Sequence, residues 1–134
     1  MLAQSLQIDS HLTWAGFQNQ DKFTLLQAHD LLVLPSYNEN FGNVVVESLS
    51  TGTAVLISPY VGLADYVIKH SLGWTCDIQP IKIAEQIQLI NQQRHELVRI
   101  SMEAPALVRK SFTGRELALQ YINQYQKILN SSNT

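Results

Sequence analysis

Asp30-Leu31-Leu32-Val33-Leu34-Pro35-Ser36 is followed by Glu39-Asn40-Phe41-Gly42-Asn43-Val44-Val45-Val46-Glu47 and then by Gly52-Thr53-Ala54-Val55-Leu56-Ile57, and these three pieces decide the fold. The first is an uninterrupted apolar run stopped by proline, the mark of a parallel strand buried on both faces. The second opens a helix expected over residues 43–50, with Gly52 as its carboxyl cap. The third carries the next strand, residues 54–57, closed by Ser58-Pro59. Strand, helix and strand in this order predict right-handed crossovers and a small parallel sheet in a three-layer α/β sandwich.

Outward from this unit the pattern repeats. Residues 1–7 read as the end of a helix, Asp9-Ser10 as a turn, and residues 11–15 as a short strand stopped by Gly16. Asp21 opens a helix reaching about His29. Downstream, residues 62–69 read as a helix and 73–76 as a fourth strand. Beyond Pro80, residues 81–93, 95–110 and 114–129 carry apolar residues at helical intervals, among them Leu117, Tyr121, Tyr125 and Ile128. Residues 1–129 thus form one domain and 130–134 a disordered tail. Four strands is a small sheet for such a fold, and this raises the expectation of further strands ahead of the sequence.

At 134 residues the chain suits one domain that buries roughly two thirds of its unfolded surface. Net charge is −2 and no basic stripe is present, which argues against a nucleic-acid partner. No apolar run approaches the ~20 residues that span a bilayer, so no transmembrane segment is expected. The amino terminus lacks the basic and hydrophobic regions of a signal peptide, and the expected location is the cytoplasm. The single cysteine, Cys76, excludes an intrachain disulfide and reads as a small core residue in a strand. Positive charge is uneven: before Lys69 the only basic residue is Lys22.

The segment from Glu39 to Glu47 carries the chemistry. Open α/β sheets bind ligands at the carboxyl ends of their strands, where loops meet helix amino termini. The amides of Gly42, Asn43 and Val44 have no helical partner and sit at the positive end of the dipole, which suits a phosphate. On a helical wheel Val45 and Leu49 share one side and Glu47 falls away from it, only ~6 Å along the axis from the helix start. The two oxygens of its carboxylate can accept from two adjacent hydroxyls, as in a ribose diol. Glu39, on the turn before the helix, can reach the hydroxyls of a sugar. A sugar, a diphosphate and a ribose in line outline a nucleotide sugar. Against this stands a plainer reading, because the helix dipole alone favours glutamate near an amino terminus. What favours a site is the context of strand, Phe41-Gly42 pair, helix and Gly52 strand.

On these residues, and on Gly62-Leu63-Ala64-Asp65 after them, the chain resembles the carboxyl-terminal domain of the group 1 (family 4) retaining glycosyltransferases, whose GT-B fold is two facing Rossmann-like domains. The resemblance runs over about residues 12–129. It implies that Glu39, the catalytic carboxylate, contacts the donor sugar and that Glu47 contacts the ribose. Asn40, Phe41, Gly42, Asn43 and Val44 would complete donor binding through main-chain amides. It implies no metal and no cofactor beyond the nucleotide-sugar substrate. The sequence agrees in having no Asp-x-Asp, and His11, His29, His70 and His95 lack ligand spacing. Two departures stand out: Ala54 replaces a usual proline, and the family's Gly-Gly-x-x-Glu loop is Val61-Gly62-Leu63-Ala64-Asp65. The basic pair that holds the diphosphate in the family has no counterpart here, nor does the amino-terminal GT-B domain that would be the partner. The chain alone is therefore expected to be inactive and to bind donor weakly. Two other readings remain open: a non-catalytic α/β module that pairs with another subunit, and part of a nucleotide-sugar epimerase.

Overall fold

The computed structural model describes residues 2–18 and 21–114, together with positions 119 and 122. Two short elements come first, α1 (Leu2–Ser5) and a 3-10 turn (Asp9–His11). They are followed by α2 (Lys22–Gln27), β1 (Leu31–Leu34), α3 (Asn43–Ser50), β2 (Ala54–Ile57), α4 (Ala64–Lys69), β3 (Gly73–Thr75), α5 (Pro80–Gln92) and α6 (Arg94–Ser111). The chain is an α/β fold whose described residues form one three-stranded parallel sheet, ordered β1-β2-β3.

The central position of β2 explains its composition. Ala54, Val55, Leu56 and Ile57 are flanked by a strand on each side and all are buried. Among the described residues β1 has a neighbour on one edge only, and its expected burial on both faces is not met: Val33 is 36% exposed and Leu31, Leu32 and Leu34 are half-buried. An apolar run reports that a strand belongs to a sheet, but not whether it lies in the middle.

The strand expected over residues 11–15 does not form. Asp9–His11 is a 3-10 turn and residues 12–18 have no regular structure. A strand persists only with a paired neighbour, and this segment joins no ladder. Trp14 is 76% exposed, and Thr13 and Ala15 instead line an apolar groove with Leu25, Leu26 and Val33. The sheet therefore has three strands, not four, among the described residues. The strand expected over residues 73–76 ends at Thr75, although the Cys76 amide still donates to the Ile57 carbonyl at 3.0 Å. The helix expected over residues 114–129 and the tail at 130–134 lie outside the described residues, apart from positions 119 and 122.

α3 and α6 pack against each other and against β2, and α4 packs beside β3. Their buried residues, Val45 and Leu49 from α3, Val67 from α4, and Ile100, Ala104 and Val108 from α6, close one core with β2. α3 ends in a Schellman motif. The Thr53 amide donates to the Ser48 carbonyl at 3.0 Å and the Gly52 amide to the Leu49 carbonyl at 3.1 Å. The buried hydroxyl of Ser48 donates to the Thr53 carbonyl at 3.0 Å, and Thr53 Oγ1 donates to the Leu26 carbonyl at 2.7 Å. One turn of α3 is thereby tied to β2 and to the end of α2.

Candidate functional site

β1 ends at Leu34 and α3 starts at Asn43, so residues 35–42 form a loop at the carboxyl end of the sheet. β2 ends at Ile57 and α4 starts at Ala64, so a second loop lies beside the first. The two are joined through their main chains. The Glu39 amide donates to the Tyr60 carbonyl at 3.3 Å and the Gly62 amide donates to the Glu39 carbonyl at 2.8 Å, a parallel bridge pairing Glu39 with Val61. Below it the Ser58 amide donates to the Leu34 carbonyl at 3.3 Å, and the Ser58 hydroxyl donates to the Ser36 carbonyl.

The joined loops wall a crevice of about 360 Å³. Asn38, Glu39 and Asn40 line it from the first loop, Pro59 to Gly62 from the second, and Ala64 and Asp65 from the start of α4. Glu39 is half-buried there, its backbone fixed and its carboxylate without an ion-pair partner among the described residues. Gly42 is buried and left-handed at φ 84°, where any larger residue is strained, and a Cβ would press on Val61 Cγ1 at 3.0 Å. It turns the chain into α3. Among the described residues no side chain caps that helix start, and the first amides of α3, those of Asn43 and Val44, have no helical acceptor. Asn43 is exposed and Val44 half-buried.

Phe41 turns away from the crevice. Its ring meets Phe112 edge-on at 5.9 Å, Phe112 meets Tyr66 at 4.9 Å, and the Tyr66 hydroxyl donates to Ser111 Oγ at 3.0 Å. The end of α6 thus buttresses the loop that carries Glu39. Phe112 and Tyr66 escape a reading of the sequence because both are far from the glutamates along the chain; only their aromatic character marks them.

Glu47 is half-buried and does not line the crevice around Glu39. It faces α2, where Lys22 Nζ approaches its Oε1 to 2.6 Å, with the ammonium 5.4 Å from the Phe23 ring. The structure thus brings Glu39 and Asn40 together with the β2–α4 loop and places Glu47 on the other flank of the α3 start. Lys22 is a further missed residue. Its signal was its isolation as the one cation before Lys69.

Among the described residues no three His, Cys, Asp or Glu side chains gather as metal ligands would. His29 Nδ1 bonds the Leu25 carbonyl at 2.7 Å and His70 packs on Tyr66. Cys76 is half-buried beside the core, and burial, aided by the charge of Asp77, raises its thiol above the ordinary range. A raised thiol is a poor nucleophile at neutral pH.

This arrangement is that of α/β proteins that bind ligands at strand ends and a helix amino terminus. The glycosyl transferases group 1 family matches residues 1–106, and the chain belongs to that family. It is 31% identical over 106 residues to a D-inositol 3-phosphate glycosyltransferase of Rhodococcus opacus, covering 78% of this chain and 24% of that protein. To a glycosyltransferase of Methanocaldococcus jannaschii it is 27% identical over 128 residues, 93% of this chain and 33% of the other. Its structure superposes on sucrose-phosphate synthase of Thermosynechococcus elongatus with a TM-score of 0.78 at 26% identity, covering 97% of this chain and 33% of the synthase. With WaaG, a glycosyltransferase involved in lipopolysaccharide biosynthesis, the TM-score is 0.58 at 28% identity, over 82% of this chain and 29% of WaaG. The chain therefore spans about a third or less of the length of these relatives, and its fold matches part of a GT-B enzyme.

Proposed function

We propose that this chain is the donor-binding part of a retaining, metal-independent glycosyltransferase that moves a sugar from a nucleotide diphosphate sugar to an acceptor hydroxyl. The observation that carries this reading is the Glu39 crevice at the carboxyl end of the sheet, beside the uncapped start of α3, in a member of the group 1 family. Glu39 and Asn40 receive the hydroxyls of the sugar, the first amides of α3 receive the diphosphate, and Glu47 receives the ribose diol. In the reaction the bond from the anomeric carbon to the diphosphate oxygen breaks and the diphosphate leaves with the electron pair. The acceptor oxygen bonds to the same face of that carbon and passes its proton to the departing diphosphate oxygen.

Stabilising a leaving diphosphate is an electrostatic task that needs cations and a second wall against water. The described residues offer the crevice neither, so the acceptor wall belongs to the amino-terminal domain of the two-domain enzyme, working in the cytoplasm. The purified 134-residue chain, incubated with UDP or GDP sugars and sugar or lipid acceptors, should yield no transfer product by mass spectrometry. Its binding of the same donors should be weak yet detectable by NMR shift changes. Transfer by the chain alone would overturn the division of labour, and absence of any donor binding would overturn the site.

A second reading, a module that pairs with another chain without catalysis, draws on the edge of β1 that is unpaired among the described residues and on its groove of about 470 Å³. It is favoured if Glu39→Gln and Glu47→Gln leave nucleotide-sugar binding unchanged.

A further inference from the structure

The Glu47 carboxylate does not stand alone. It is held by a side chain 25 residues earlier, at the first position of α2, a helix that packs on α3. The contact is 2.6 Å long, with the Lys22 side chain 35% exposed and that of Glu47 24% exposed, so the pair is partly shielded from water. A lysine ammonium carries three donors and no acceptor. One is directed at Oε1, and among the described residues Lys22 is the only side-chain partner of this carboxylate, so Oε2 remains available. The only cation in the first half of the sequence is thus spent on one of the two acids that flank the α3 start.

We infer that Lys22 is a positioning residue of the donor site, which fixes the Glu47 carboxylate through Oε1 so that Oε2 accepts from the ribose diol. The inference rests on the reading of Glu47 as the group that receives the diol. A glutamate side chain without a partner samples several rotamers, and ordering it on binding costs side-chain entropy. The charge-assisted bond from Lys22 removes much of that cost beforehand, which is how pre-organisation raises affinity. A clamp serving only to fasten α2 to α3 would produce the same contact but would not respond to the diol.

The test titrates the whole 134-residue chain by NMR with UDP, GDP and ADP, then with the 2′,3′-dideoxy form of whichever binds most tightly. Hydrogen bonds to charged groups predict a preference for the ribo form of about tenfold. Lys22→Met should weaken the ribo form by nearly that factor and leave the dideoxy form within about twofold, Lys22→Arg should recover most of the loss, and Glu47→Gln should erase the preference. If Glu47→Gln erases the preference and Lys22→Met does not, Lys22 has no positioning role and the diol reading stands. Equal weakening of both forms by Lys22→Met overturns the inference in favour of a plain clamp. A preference that survives Glu47→Gln, or no binding by any of the three nucleotides, overturns the diol reading and the inference together. Should Lys22→Met fail to fold by circular dichroism, Lys22→Gln takes its place with the same expectations.

Discussion

Glu39→Gln keeps the shape of the side chain and removes its charge, so it tests the proposed sugar contact apart from the proposed nucleotide contact. Loss of a hydrogen bond to a charged acceptor predicts about a tenfold fall in affinity for a nucleotide sugar, while the affinity for the free nucleoside diphosphate stays within about twofold. Calorimetry or NMR titration of the two ligands reads both, and an equal fall for both would move Glu39 away from the sugar. Cys76 supplies a second check. Its thiol is raised by burial and by Asp77, so alkylation by iodoacetamide should run slower than for a free cysteine at pH 8 and quicken as pH rises. Alkylation as fast as free cysteine at neutral pH would contradict that environment. At this scale the sequence singled out Glu39 and Glu47 but not the side chains that surround them. The carboxylates stand out because they bracket a glycine at a strand exit. Lys22 and Phe112 could not be placed because a partner distant in sequence is assigned only by the packing of α2, α3 and α6.

The elements most legible in advance were those with local punctuation. α3 and β2 fall on residues 43–50 and 54–57 as read, because a left-handed glycine opens the helix, a Schellman motif closes it, and buried apolar residues fill the strand. Pro80 at the first turn of α5 sets the start of that helix equally well. Residues 11–15 misled because a short run stopped by glycine signals a strand without showing that a neighbour exists to pair with it. α6 continues through Pro105, which has no N–H to return to the Ser101 carbonyl four residues before it. The end of α3 lies against that carbonyl: a Cβ on Gly52 would stand 2.8 Å from Ser101 O, at a backbone φ of 86°. Gly52→Ala should therefore push α3 from α6 and destabilise the chain by about 2 kcal/mol, from left-handed strain plus overpacking. Urea unfolding measures this, and a change within about 0.5 kcal/mol, the range of a harmless surface change, would show that the two helices yield freely.

Across the whole molecule, the burial of β2 and the exposure of β1 follow from three strands in one row. Leu56 is 1% exposed at the centre of that row, and Leu56→Ala should cost about 2–5 kcal/mol in urea unfolding, whereas Val33→Ala on the open edge should cost much less. The class of fold was legible because alternating strands and helices leave few topologies. Strand burial was not, since edge and centre differ by what lies alongside. The bridge between Glu39 and Val61 has a practical result for anyone redesigning this protein. The segment that carries the acid and the segment across from it share two main-chain hydrogen bonds, so a chimera that imports one segment from a relative inherits a mismatched seam. Transplanting both segments together keeps the seam intact, and any shift in preferred substrate should be sought in such paired grafts.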